Sequence, residues 1–340
     1  MHTPQAWLQP ALHPVYARLL CAELRRRQFS QAQILQGTRL EWTRLHTESQ
    51  QLSYEQMRRL VMRALALTQC PWLGVLVGQQ TPASAHGALG YAAASSATLG
   101  EALLLMQRYS ALRIGFARFD FNARVPGELF LIETLALGSL REYLLGQLVS
   151  GFLRFLEGLI GQPLRDHIVL RWPFAEPANS EPYRALAVHT EFAAETLSAQ
   201  LPVGLLQQPC MGADASTLQL ALRQCEHQRQ RLEQGGSLSE RVRLRLLRCD
   251  GSYPTLEDMA NREHMSARIL IRHLHEEHVT YQQLLDEVRA ELACWLLGQR
   301  ELSVQRIAEQ LGYQDASNFS RCFRRWLGQT PRDYQQSLPQ

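Results

Sequence analysis

Over the last hundred residues the apolar side chains recur at steps of three and four, the spacing that lines one face of an α-helix. Leu256, Met259 and Ala260 pattern one short helix, a turn follows at His264-Met265, and Ser266 caps a second helix with Leu270 and Leu274 inward. A longer helix of about 18 residues opens at the capping box Thr280-Tyr-Gln-Gln283 and carries Leu284, Leu285, Val288, Leu292 and Leu296. Val304, Ile307, Ala308 and Leu311 make another short helix, stopped by Gly312. Asp315 caps the next, whose inner face is Ala316, Phe319, Phe323, Trp326 and Leu327 and whose end is marked by Gly328 and Pro331. Two helix-turn-helix units, about 256–277 and 304–327, therefore stand in tandem, joined by one long helix.

The first two thirds of the chain read differently. Leu12, Val15, Leu19, Leu20 and Cys21 recur at helix spacing, and a second helix follows Ser53, which forms a capping box with Gln56. Ser95 to Ala102 leads into a helix ending near Tyr109. The period then drops toward two: Ile114, Phe116, Phe119 and Phe121 predict a strand with one irregularity, Phe130, Ile132 and Thr134 its neighbour, and Pro126-Gly127 the turn. Leu140 to Ile160 is helical again, and Ile168, Leu170 and Trp172 alternate as a third strand. Residues 173–211 hold five prolines and little period, so no element is assigned there. A helix from about Ala215 to Glu233 ends in Gln234-Gly235-Gly236-Ser237, which has the composition of a linker. The expected architecture is an α+β domain over residues 1–234, a linker at 235–238 and an all-α domain over 239–336.

The chain has 340 residues, 46% of them hydrophobic and 20% charged, enough to bury two cores. Its 35 basic residues are all arginine. Without lysine there is no Walker-type phosphate lysine, no kinase strand lysine and no Schiff-base lysine; the gap reads as codon bias of a GC-rich genome more than as a functional choice. No apolar run approaches the roughly 20 residues of a membrane helix, and Met1 to Trp7 lacks the basic start and apolar stretch of a signal peptide. Seven scattered cysteines without a CxxC pair read as reduced thiols in a cytoplasmic protein. Residues 237–340 hold 14 arginines against 14 acids, so any basic surface there comes from arrangement and not from excess.

That arrangement is on two helix faces. Opposite the apolar stripe of the last unit lie Ser317, Asn318, Arg321 and Arg325, with Arg324 on the flank. Arginine forks onto guanine, asparagine onto adenine, and both hold phosphate, so such a face suits a major groove. In the first unit Arg268, Ile271, Arg272 and His275 face outward, and an outward isoleucine matches a thymine methyl. With Ser266 and Gln314 these residues form the candidate contact set for double-stranded DNA. The connecting helix, roughly 27 Å long, sets the two outward faces on the order of 34 Å apart, one DNA turn. Phe319, Phe323 and Trp326 sit at core spacing and are not stacking platforms.

Other groupings carry less. Cys210, Cys225, His227 and Cys249 lack the paired spacing of a zinc site, so no metal or cofactor is expected. His46, His86 and His189 are isolated and read as satisfied imidazoles, and Glu101 reads as a helix-dipole partner beside Ser95, Ser96 and Thr98. No Ser/His/Asp, paired-carboxylate or glycine-rich phosphate motif is present, so catalysis is not expected.

The run from Arg306-Ile-Ala-Glu-Gln-Leu-Gly-Tyr through Trp326-Leu-Gly-Gln-Thr-Pro-Arg-Asp-Tyr334 resembles the AraC/XylS regulator signature, and Met265 to Leu274 is similar to that family's first reading helix. The first unit departs from the pattern with Ile271 and His273 where basic residues are frequent, and Glu277-His278 where glycine is common. Trp72-Leu-Gly-Val-Leu-Val-Gly78 and Gly87 through Arg108 are similar to the effector-binding and dimerisation domain of one branch of those regulators. The resemblance implies a transcription regulator, often an activator, that works on operator DNA as a homodimer with RNA polymerase and senses a small molecule. Control by a protein partner or by thiol oxidation stays open. The pocket for an effector is not assigned from the sequence. A reactive-cysteine repair enzyme is disfavoured because Pro209-Cys-Met-Gly212 lacks the His and Arg that would activate a thiolate.

Overall fold

The computed structural model describes residues 4–45, 51–121 and 125–337. The chain divides into two compact units, Ala11–Glu233 and Gln234–Gln340, and the first ten residues cluster with the second. That grouping corrects the expected boundary. The short helix α1 (Pro4–Leu8) carries Leu8, fully buried in the same core as Leu238 and Val242, and nothing in its local sequence marks this distant partner.

The N-terminal unit begins with β1 (Pro10–Leu12), α2 (Val15–Arg26), α3 (Gln31–Leu35) and α4 (Trp42–Leu45). Leu12, expected within a helix, instead bridges to Ile114, and the helix starts after Pro14. Then come β2 (Leu52–Ser53), α5 (Tyr54–Thr68), α6 (Leu73–Gln79), α7 (Gly87–Ala94) and α8 (Leu99–Tyr109). Ser53 and Gln56 form the expected capping box, and Thr98 caps α8 while the Glu101 carboxylate accepts from the Ala97 amide, which gives both residues a helix-start role.

A five-stranded sheet follows from β3 (Ala117–Phe121), β4 (Glu128–Glu133), β5 (Val169–Arg171), β6 (His189–Glu191) and β7 (Leu197–Gln200), in the order β3-β4-β7-β5-β6. Strands β3 and β4 form the hairpin predicted around Pro126-Gly127, with Phe119 opposite Leu131. Strands β6 and β7, with the one-turn helices α10 (Glu181–Arg184) and α11 (Val203–Leu206), occupy the stretch left unassigned. β7 sits between β4 and β5, where burial on both faces removes the alternation that marks a half-exposed strand. An aromatic cluster of Trp172, Phe174, Tyr183 and Phe192 holds this region together.

Between β4 and β5 runs α9 (Arg141–Ile160). By length and composition the segment Gly138–Ile160 is apolar enough to cross a membrane, contrary to the sequence reading, but 72% of its apolar window is buried within the protein. It packs on α6 so closely that a Cβ at Gly74 would stand 2.2 Å from the Tyr143 carbonyl oxygen, and the Ser150 hydroxyl donates to the Val75 carbonyl at 2.9 Å. The glycines of the Trp72–Gly78 stretch thus let two helix backbones meet. The unit closes with α12 (Ala215–Glu233).

Glycines 235 and 236 both hold positive φ, and Ser237 already caps α13 (Leu238–Leu247). The linker expected at 235–238 is therefore shorter, because Leu238 is a buried helical residue. After α13 come α14 (Leu256–Arg262), α15 (Ala267–Glu276), α16 (Tyr281–Gln299), α17 (Val304–Gln310), α18 (Ala316–Leu327) and α19 (Pro331–Ser337). One core unites them: Met259, Leu270, Leu274, Val288, Leu292, Ile307, Phe319 and Phe323 belong to a single buried cluster, with α16 as its spine. Arg289 of α16 lies 4.5 Å from the Tyr253 ring and 5.1 Å from the Tyr313 ring, joining the approach to α14 with the turn after α17. Arg243 of α13 pairs with Glu291 of α16, both side chains buried.

Candidate nucleic-acid interface

Each helix-turn-helix is built from the same local instructions. Thr255 caps α14 in a capping box with Asp258, and Ser303 caps α17 by accepting from the Arg306 amide. The turns are bonded alike: the Met265 amide donates to the Ala260 carbonyl and the Tyr313 amide to the Ala308 carbonyl. His264 and Gly312 supply the left-handed residue that this turn requires. Ser266 and Asp315 then cap α15 and α18, as the sequence indicates.

The apolar stripes fix which faces remain outside. Leu270, Leu274, Phe319 and Phe323 are at most 1% exposed, and Phe319 and Phe323 pack edge to face at 5.6 Å. Of the candidate contact residues, Ser266, Arg268, Ile271, Arg272, His275, Gln314, Ser317, Arg321, Arg324 and Arg325 are exposed and Asn318 is half-buried. Ile271 is 53% exposed and Ile269, which the sequence reading passed over, is 39% exposed. Two isoleucines flanking the buried Leu270, off the stripe of an otherwise well patterned helix, were the signal available for Ile269.

The polar groups on α18 are pre-arranged. The Asp315 carboxylate accepts from the Asn318 amide at 2.7 Å and from its side-chain nitrogen at 2.9 Å, and Arg321 donates to the Asn318 carbonyl oxygen at 2.5 Å. Asn318 thus supports the helix start and orients Arg321. Arg325 donates to Asp286 of α16 at 3.1 Å, the arginine exposed and the carboxylate half-buried, a pairing that contributes little to stability. On α15, Arg272 lies 3.9 Å from Glu276 and 3.4 Å from the His273 ring.

The departures in the first unit have structural roles. The Glu277 carboxylate accepts from the backbone amides of Leu238 and Ser239, each at 3.0 Å, and so caps α13 from outside. Burial opposes its ionisation, but the hydrogen bonds from Ser239 and Leu238 outweigh that and hold its pKa below the usual value. His278 takes the left-handed conformation (φ 58°) that a glycine would otherwise supply. Among the described residues no cluster of His, Cys, Asp and Glu is arranged to hold a metal ion; His46 lies outside the described residues.

Two short helices joined by a tight turn, with the second presenting arginines and amides opposite a buried stripe, and the whole device repeated on one core, define a helix-turn-helix DNA-binding transcription regulator. Comparison with known proteins gives the family. Residues 29–210 match the arabinose-binding N-terminal domain of AraC transcription regulators, and residues 259–337 match a helix-turn-helix domain. An ornithine utilization regulator of Pseudomonas aeruginosa is 34% identical over 86% of this chain and 87% of its own. An uncharacterized HTH-type transcriptional regulator of Mycobacterium tuberculosis is 30% identical over 95% of this chain and 96% of its own. The crystal structure of the transcriptional regulator CdpR from Pseudomonas aeruginosa aligns over 95% of this chain and 98% of that one at 24% identity, with a TM-score of 0.47. The chain belongs to the AraC/XylS family, and it is a regulator of transcription, not an enzyme.

Proposed function

We propose that α15 and α18 enter consecutive major grooves on one face of operator DNA, with Arg268, Ile271, Arg272 and His275 reading one groove and Ser317, Asn318, Arg321 and Arg325 the other. Ser266, Gln314 and Arg324 hold flanking phosphates. The α+β unit up to Glu233 dimerises and binds a small effector, and the bound dimer recruits RNA polymerase as an activator in the bacterial cytoplasm. The observation that carries the DNA reading is the pair of exposed, arginine-bearing faces whose opposite sides share a single buried core. A shared core fixes the spacing between the faces, which a pair of independent charged helices would not have.

Control by an effector is favoured over oxidation of the buried thiols of the N-terminal unit. Burial raises the pKa of Cys21 to about 12 and also raises those of Cys70, Cys210 and Cys225, which keeps the reactive thiolate scarce. The experiment is selection of genomic fragments by the full-length protein followed by hydroxyl-radical footprinting of the retained sites. Two protected backbone segments per chain, about 10 base pairs apart and flanking the contacted major grooves, are expected. One protected segment, or retention without sequence preference, would remove the two-groove reading.

A further inference from the structure

The helices α15 and α18 start alike, and matching their registers isolates one side chain. Ser266 and Asp315 each cap their helix by accepting from the amide three residues on, that of Ile269 in α15 and of Asn318 in α18. Counted from those caps, Leu270 corresponds to Phe319, Arg272 to Arg321 and Leu274 to Phe323. Burial agrees at each pair, with the leucines and phenylalanines inside and both arginines exposed. Ile269 therefore stands where the second unit has Asn318. Asn318 donates to its cap Asp315 and accepts from Arg321. An isoleucine can do neither, and its branched Cβ slightly lowers helix propensity.

Ile269 does not serve the core either. It is 39% exposed and Ile271 53%, and neither belongs to the buried cluster of the C-terminal unit or to the partly buried residues packed against it. At roughly 100° per residue the two side chains leave the helix about 200° apart, one on each side of the line formed by Arg268, Arg272 and His275. A flat apolar partner could not cover both. A groove can: the major groove of B-DNA is about 12 Å wide and a helix with its side chains about 10–12 Å across, so both flanks are covered together. The Ile269 flank has no arginine of its own, only His273 one turn on and Glu276 two turns on. What it offers a DNA strand is apolar contact near the helix start, the end that a recognition helix presents to base edges. The apolar group that protrudes from those edges is the thymine 5-methyl, which lies on the side of the base toward its own strand.

We propose that Ile269 is a specificity-determining residue that packs on the 5-methyl group of a thymine in one strand, while Ile271 meets a thymine of the other. The half-site under α15 then carries a thymine on each strand, within about three base pairs, because two residues rise only about 3 Å along the helix. This deepens the DNA reading given above and rests on it. The first unit selects its half-site by a pair of methyl contacts around its arginines, where the second unit has an amide at the corresponding place.

The test uses the full-length protein and an operator obtained by genomic selection, with each protected thymine replaced in turn by deoxyuridine, which removes the methyl group alone. Affinities are read by fluorescence anisotropy at fixed salt. For the wild type, two replacements on opposite strands of one half-site should each weaken binding about fourfold, the worth of one buried methyl group. Ile269→Ala should bind the thymine operator about fourfold more weakly and be indifferent to deoxyuridine at one of these positions, yet stay sensitive at the other. Ile271→Ala should show the reverse. An operator with no thymine whose methyl group matters, both sensitive positions on one strand, or full sensitivity retained in Ile269→Ala would overturn the proposal. Arg272→Ala separates this proposal from the reading beneath it. Binding weakened by that change but not by Ile269→Ala would keep α15 in its groove and overturn the role of Ile269 alone. Binding unmoved by either would remove α15 from the groove, and the methyl contacts with it.

Discussion

The left-handed positions of the second helix-turn-helix are glycines, Gly312 (φ 77°) in the turn and Gly328 (φ 73°) at the end of α18, whereas in the first unit the same tasks fall to His264 (φ 56°) and His278 (φ 58°). A side chain in that conformation costs on the order of 1 kcal/mol relative to glycine. The first unit offsets this with ties to α13: Glu277 caps that helix, and Glu263 accepts from Arg241 at 2.9 Å and Arg245 at 2.6 Å. The second unit relies on its own aromatic packing, in which Phe323 meets Phe319 and Tyr334, each at 5.6 Å. The left-handed positions of the second unit need no side-chain support, whereas the first unit draws on α13 partners some twenty to forty positions away.

The sharpest way to break the comparison is to empty the shared core from each unit in turn. Phe323→Ala removes a fully buried ring and should cost about 3–5 kcal/mol, with Leu274→Ala in the first unit costing about 2–4 kcal/mol. Hydrogen exchange by mass spectrometry reads both, and equal losses of protection in α15 and α18 from either change would mean that the units are one cooperative block. Gly312→Ala comes next. Its Cβ would stand 2.2 Å from the Gly251 carbonyl oxygen at a positive φ, so about 2–4 kcal/mol should be lost.

For DNA, Arg321→Ala should weaken operator binding by about 1–3 kcal/mol and relax preference at one base position. Arg272→Ala should fall at the lower end of that range, since Arg272 lacks a partner like Asn318 to orient it from its own helix start. Measured by electrophoretic shift at fixed salt, a larger effect at Arg272 would reverse the ranking of the two faces.

What the sequence made legible is local. The caps Ser266, Thr280 and Asp315, the stop at Gly312 and the buried stripe of α18 all depend on neighbours within four residues, and all stand as read. What it concealed depends on partners far along the chain. β7 shows no alternation because it is interior to the sheet, Leu8 finds its core among residues beyond 234, and Glu277 acts 39 positions from the amide it caps. At the candidate interface, exposure of the arginines followed from periodicity, but the bonds that Asn318 donates to Asp315 and accepts from Arg321 needed coordinates. His86, expected as a satisfied imidazole, has its Nε2 buried without a hydrogen-bond partner, which was equally invisible, since an isolated histidine carries no periodic signal.

Glu277 gives the comparison a pH handle. Its pKa is depressed in the folded protein, so its contribution is complete above the unfolded value of about 4.3 and is lost as the pH falls through the folded value. Glu277→Gln should speed amide exchange at Leu238 and Ser239 at pH 7, by an amount corresponding to about 1 kcal/mol. The wild type should lose its advantage over the variant only below about pH 4.3. A difference that persisted unchanged to pH 3 would assign the tie to shape and not to charge.

The smallest expected effect bears most directly on the two kinds of stop. His278→Gly relieves a left-handed side chain at the end of α15, although glycine also gains entropy in the unfolded chain, so the net gain should be about 0.5–1 kcal/mol. The converse change, Gly328→His, places a side chain where nothing lies within 4 Å, so it meets only the conformational cost and should lose a similar amount. Opposite signs of similar size, read as slower exchange in α15 and faster exchange in α18, would show that the first unit tolerates a costly stop. If His278→Gly instead destabilised α15, the histidine ring would be contributing packing of its own, and the contrast between the two units would rest on the ties to α13 alone.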